Sequence, residues 1–95
     1  MRVVILGYGR LGRPAAQRLD RSGHDIVVID RDESSVEQAR NDGLTALHGE
    51  GEEEDVLADA NLEEADVFAA LTDDLTVNVS ACERAADAGA DIGTA

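Results

Sequence analysis

Lysine and tryptophan are both absent from this 95-residue chain, and cysteine, proline, tyrosine and phenylalanine each occur once. Arginine therefore supplies all 8 basic residues against 21 acidic ones, a formal charge of −13. A field of that sign repels a polyphosphate backbone and an anionic lipid surface, which excludes a sequence-independent nucleic-acid binder and direct membrane association. A lone Cys82 cannot close an internal disulfide and suits a reducing cytoplasm. No apolar run approaches the ~20 residues of a membrane span. Met1-Arg2 followed by Val3 to Leu6 is too short to read as a signal peptide. With Tyr8 and Phe68 the only aromatics, the core must be aliphatic. A hydrophobic content of 43% is enough to build one and too much for a disordered acidic tail. The length argues for one domain over residues 1–95. The acid excess without lysine fits a very salty cytoplasm, where screening within ~3 Å at molar ionic strength mutes self-repulsion. An acidic protein of an ordinary cytoplasm, or a designed one, fits the same counts.

What is present alternates. Val3-Val4-Ile5-Leu6 and Ile26-Val27-Val28-Ile29 are continuous aliphatic runs, as strands buried on both faces read. Residues 11–22 between them place Leu11, Ala15, Ala16 and Leu19 on one helical stripe, with Pro14 in the first turn where its missing N–H costs little. Asp32 or Ser34 can cap a helix running to Asn41, followed by a weaker strand over Leu44–Leu47. A helix is expected over Glu52–Ala60, a buried strand over Val67–Leu71, a helix over Thr76–Ala88 and the start of a fifth strand at Ala90-Asp91-Ile92. Each parallel crossover needs a helix, so the pattern predicts an α/β, doubly wound parallel sheet of the Rossmann type. Helices cover both faces and the strand order is 3-2-1-4-5.

Gly7-Tyr8-Gly9-Arg10-Leu11-Gly12 fits G-x-G-x-x-G, and its context gives it weight. It lies between a buried strand and an amphipathic helix, and Asp30 ends the next strand 18 residues beyond Gly12. Gly7 permits the tight turn, Gly9 a close backbone approach to a pyrophosphate, and Gly12 close packing of helix on sheet. The N–H groups around Arg10 and Leu11 lack intrahelical acceptors and suit phosphate oxygens. Asp30 suits the adenosine ribose hydroxyls and disfavours a 2′-phosphate, hence NADP. Arg10 offers bidentate donors to an anion or forms a surface ion pair. Arg31 can stack on adenine, meet a 2′-phosphate or remain solvated. Tyr8 can lie along the nucleotide or simply shield the loop.

Together, Gly7 to Gly12, Val27 to Asp32, His48-Gly49-Glu50, and Glu64-Ala65-Asp66 through Asn78 resemble the TrkA-N family. These are nucleotide-binding domains that regulate potassium conductance, also called RCK domains. The segment Leu57 to Asn78 is the most family-specific part. The resemblance implies a ligand sensor binding NAD(H), or ATP or ADP, that acts on a membrane potassium channel or transporter subunit and pairs as a homodimer. By the same resemblance Gly7, Gly9, Arg10, Leu11 and Gly12 hold phosphates, and Asp30 and Arg31 address the adenosine end. Gly49 and Glu50 stand near the adenine, where the family commonly has Gly-Asp. Thr72 and Asp73 face the distal phosphates or second ribose, and Asn78 holds the loop. The family domain commonly continues past a fifth strand, so a truncation after it is expected here.

Other groups carry plainer expectations. The acids Glu50, Glu52, Glu53, Glu54 and Asp55 suit a hard cation by ligand type, but acids opening a helix are usually solvated and stabilised by its dipole. His24 and His48 lack metal spacing, and Cys82 reads as a small buried side chain. Without lysine a Tyr/Lys pair is impossible, and neither His follows the fourth strand, so catalysis is not expected. The rival readings are the cofactor half of an NAD-dependent dehydrogenase and a truncated or redesigned scaffold.

Overall fold

The computed structural model describes residues 1–50, 56, 60, 64–87 and 92–94. The expected alternation is present: β1 (Arg2–Leu6), α1 (Gly12–Arg21), β2 (Asp25–Asp30), α2 (Glu33–Asn41), β3 (Thr45–His48), β4 (Val67–Ala70), α3 (Leu75–Asp87) and β5 (Ile92–Thr94). All strand pairs are parallel, in the order β3-β2-β1-β4-β5. Element ends differ from the sequence expectation by a residue or two. The last strand is described over Ile92–Thr94, with Ile92 paired to Phe68, and Ala90 and Asp91 of its expected start lie outside the described residues. Most of the expected helix over 52–60 lies outside the described residues, as do positions 51–55 of the acidic run. Within that stretch the Ala60 N–H donates to the Val56 carbonyl (3.1 Å).

The reversal of strand order between β1 and β4 decides which face each helix covers. Right-handed crossovers running outward through β2 and β3 place α1 and α2 on one face; the return through β4 and β5 places α3 on the other. Alternate strand residues divide accordingly. Val3, Ile5, Ile26 and Val28 pack with Ala16 of α1 and with Val36 and Ala39 of α2. Val4, Leu6, Val27, Ile29 and Phe68 pack with Ala81, Cys82 and Ala85 of α3. Phe68 is the largest fully buried side chain, and the small residues of α3 make room for it. Cys82 is the small buried side chain expected, and burial pushes its thiol pKa up.

Candidate nucleotide-binding cleft

The carboxyl ends of β1, β2 and β4 open onto a cleft of about 570 Å³, within the size range of small-molecule sites. It sits at the topological switch between β1 and β4, where an open α/β sheet leaves a crevice between diverging loops.

The turn leaving β1 forms its floor. Gly7 has φ +102°, and a Cβ there would stand 2.9 Å from the Leu71 carbonyl oxygen, so both conformation and space demand glycine. At Gly12 a Cβ would fall 1.7 Å from the Gly7 carbonyl oxygen, because the helix starts directly against the turn. Gly9 is different: a Cβ would meet nothing within 4 Å, and its φ is not positive. The fold explains two of the three glycines, and the unexplained one lines the cleft. Helix α1 then begins without help from its own side chains. Leu11 makes no capping bond and no acid lies in the first turn; the Arg13 N–H donates to the Gly9 carbonyl (3.1 Å) and Pro14 has none, so the Leu11 and Gly12 N–H groups and the positive dipole end are what an anion would meet.

Asp30 reaches over from β2. One carboxylate oxygen accepts the Tyr8 N–H (2.7 Å) and the other the Asp32 N–H (2.8 Å). The same side chain that lines the cleft therefore fastens the glycine turn to the start of α2, and its remaining lone pairs stay available to a ligand hydroxyl. Asp32 caps α2 by accepting the Ser34 N–H (3.0 Å). Across the cleft, the turn from β4 into α3 is tied by the buried Asn78. Its Oδ1 accepts from the Thr72 N–H (3.1 Å) and from the Thr72 hydroxyl, and its Nδ2 donates to the Thr72 carbonyl (3.1 Å). Asp74 caps α3 by accepting the Val77 N–H (3.1 Å).

The expected site residues divide into three groups. Gly7, Gly9, Asp30 and Arg31 line the cleft on one side, with Glu50, Thr72 and Asp73 completing its wall. Arg10 and Leu11 sit exposed at the lip, where Arg10 pairs with Asp73 at 3.7 Å, both side chains largely in solvent. Tyr8, Gly12 and Gly49 lie behind the wall. The Tyr8 ring does not lie along the cleft: it is 3% exposed, packed in the α1/α2 core, and only its backbone N–H serves the site. Gly49 is a packing glycine, since a Cβ there would stand 2.4 Å from Val56 Cγ2, and its N–H donates to the Asp30 carbonyl (3.0 Å).

Beneath the turn, the Tyr8 hydroxyl donates to Asp42 Oδ2 (2.5 Å), which also accepts from Gln17 Nε2 (3.2 Å) and faces Arg13 Nε at 3.5 Å. Gln38 Nε2 donates to the other oxygen (3.1 Å). Burial, then the bond to Asp42, pushes the Tyr8 phenol up to about 12. The Tyr8 hydroxyl, with Gln38 and Gln17 in support, holds the Asp42 carboxyl below its ordinary range. Residues the sequence reading passed over as site residues also line the cleft, among them Ser35, Asp74 and Leu75. Asp74 was legible in principle, as an acid directly ahead of a helix.

Two histidines stand away from the β4 side. His24 Nδ1 lies 3.2 Å from the Met1 amino group, and His48 Nε2–H donates to the Arg31 carbonyl (2.9 Å). Among the described residues no group of three or more His, Cys, Asp or Glu could hold a metal ion. No helix among them is long and apolar enough to cross a membrane.

The sheet order, the glycine turn and the acid ending β2 define a Rossmann-like domain with its cleft at the switch point. Residues 3–94 match the model of the TrkA-N domain, and the chain belongs to that family. It is 38% identical over 86 residues to the Trk system potassium uptake protein TrkA of Streptomyces coelicolor, covering 90% of this chain and 39% of that protein. It is 34% identical over 82 residues to the glutathione-regulated potassium-efflux system protein KefC of Cronobacter sakazakii, covering 86% of this chain and 13% of that one. The chain thus spans well under half the length of either relative. Among solved structures, the Shewanella denitrificans Kef CTD in its AMP-bound form superposes with a TM-score of 0.84 at 21% identity, over 99% of this chain and 58% of that one.

Proposed function

We propose that residues 1–95 form one regulatory domain that binds an adenine nucleotide, NAD(H) foremost, and biases a potassium channel or transporter subunit from the cytoplasmic side. The observation that carries this reading is the pairing of an uncapped helix start with Asp30 across one cleft. The first is a seat for phosphate, and the second is an acceptor for ribose hydroxyls that repels a 2′-phosphate. The named potassium transport relatives and the AMP-bound structural neighbour support the class of ligand and of partner. A paired second copy belongs to the same reading.

The chain's own residues supply binding and orientation, not bond chemistry. Gly9 gives the backbone room against phosphate, the α1 N–H groups bind its oxygens, and Asp30 takes the ribose while clamping the Tyr8 N–H. The chain has no lysine, and His24 and His48 are turned to the Met1 amino group and the Arg31 carbonyl, so neither residue type faces the β4 side of the cleft for hydride transfer. Regulation then rests on differential affinity: the nucleotide shifts the partner only as far as it prefers one arrangement of the two turns.

Calorimetric titration with NAD, NADH, AMP, ADP and ATP, at low and at molar salt, tests this. Saturable binding that falls at least about tenfold in Gly9→Ala, with the melting temperature unchanged, supports the site. Folded protein that takes up none of the five overturns the reading.

A further inference from the structure

We infer that Asp42, acting through the Tyr8 hydroxyl, is a positioning residue for the phosphate seat: it ties the turn before α1 and the first turns of α1 to one carboxylate, so that the Leu11 and Gly12 N–H groups are set before a ligand arrives. This rests on the nucleotide reading above and adds to it a residue outside the cleft.

Of the six residues from Gly7 to Gly12, three have no side chain, and Arg10 and Leu11 hold theirs in solvent. Tyr8 is the one side chain that roots this turn in the protein, buried in the α1/α2 core. It is held at both ends, its N–H by Asp30 and its hydroxyl by Asp42. Asp42 stands at the C-terminal end of α2, where the helix dipole disfavours a carboxylate. Its donors offset that cost. One oxygen accepts from the Tyr8 hydroxyl and Gln17, the other from Gln38, and the Arg13 guanidinium lies beside it. These donors come from both sides of the phosphate seat: Tyr8 precedes Gly9–Gly12, and Arg13 and Gln17 follow it. One carboxylate therefore fixes the entry and the exit of the stretch whose N–H groups would meet an anion. A stretch that the ligand itself must order binds more weakly, because the ordering entropy is subtracted from the contacts. The loss should fall on ligands that carry phosphate. Adenosine is spared, since Asp30, which would take its ribose, is still held by the Asp32 N–H.

The test uses 15N-labelled protein, titrated with adenosine, AMP and NAD by amide shifts, on the wild type, Tyr8→Phe, Asp42→Ala and the double variant. Tyr8→Phe keeps the ring in the core and removes only the hydroxyl. Val36→Ala, in the same core layer but outside the polar cluster, controls for lost stability. Tyr8→Phe is expected to weaken AMP and NAD by about fivefold and adenosine by less than about twofold. Asp42→Ala, which also releases Arg13 and Gln17, is expected to weaken AMP by about tenfold, and the double variant no further. In the ligand-free protein, the order parameters of Gly9–Gly12 should fall in both single variants while those of β1 hold. Val36→Ala should lower the melting temperature and leave AMP affinity unchanged. AMP affinity unmoved by Tyr8→Phe, an equal loss for adenosine, or an equal loss in Val36→Ala overturns the inference and leaves the nucleotide reading standing. Order parameters unmoved in both single variants do the same. Wild-type protein that binds none of the three ligands overturns the nucleotide reading and this inference with it.

Discussion

Two helices start at the same cleft, and they are finished in opposite ways. Helix α1 opens on Leu11 with no capping side chain and no acid in its first turn, whereas α3 opens on Asp74, which accepts the Val77 N–H. Their supports differ as well. The turn before α1 is clamped from the side by Asp30 and rooted from beneath by Tyr8; the turn before α3 is closed on itself through Thr72 and Asn78. The first start has no side-chain acceptor of its own; the second has one in Asp74. A helix N-terminus without a carboxylate of its own leaves more of its dipole to an outside anion, and the phosphate seat proposed above therefore falls at α1.

The largest effect is expected from forcing a side chain into the α1 start. Gly12→Ala places a Cβ 1.7 Å from the Gly7 carbonyl oxygen, so the helix must leave the turn at a cost of about 3 kcal/mol or more. Chemical denaturation reads this directly. Gly9→Ala should change stability by less than about 0.5 kcal/mol, because nothing occupies the space. Equal destabilisation by both variants would erase the distinction between a glycine the fold needs and one only a ligand needs.

The root beneath the turn has a spectroscopic handle, since Tyr8 is the sole tyrosine and tryptophan is absent. Its phenol is pushed up to about 12 from an ordinary 10.0. Below the ordinary value both folded and unfolded chains hold the proton, so the full contribution is present. Between the two values the unfolded chain ionises first and stability is lost, on the order of 2 kcal/mol in all. Absorbance at the tyrosinate band should therefore titrate near 12 in the folded protein and near 10 in denaturant. Coincident midpoints would mean that Tyr8 is not anchored under the turn. Asp42, held low chiefly by that hydroxyl, gives the opposite limb: its contribution is present above the ordinary carboxyl value of 3.8 and is lost as pH falls through its lowered folded value.

Smaller effects come from exchanging the two starts. Asp74→Ala uncaps α3 and should cost about 1 kcal/mol, with Asp74→Asn costing little. Leu11→Asp, at an exposed position, should stabilise α1 by about 0.5 kcal/mol through its dipole while abolishing nucleotide binding. Binding that survives Leu11→Asp would place the phosphate seat elsewhere.

Much of this domain was legible in the chain. Aliphatic runs separated by amphipathic stretches dictate a parallel sheet, because burial on both faces leaves no polar alternation and each return needs a helix. Gly7 and Asp30 follow from their place at strand ends, and Gly12 from its place at a helix start. The sequence left the Tyr8 side chain with two possible places. The structure chose the core, since Asp42, 34 residues on, supplies an acceptor beneath α1 that no local pattern predicts. Gly49 was read beside the adenine, yet Val56 packs where its side chain would stand. In T-D-D, the sequence does not say which aspartate caps α3 and which pairs with Arg10 across the lip. Backbone periodicity and terminal glycines are local properties, so the sequence alone determined the fold and the position of the cleft. The direction a loop side chain takes depends on what packs against it from distant parts of the chain, and only the tertiary structure decided that.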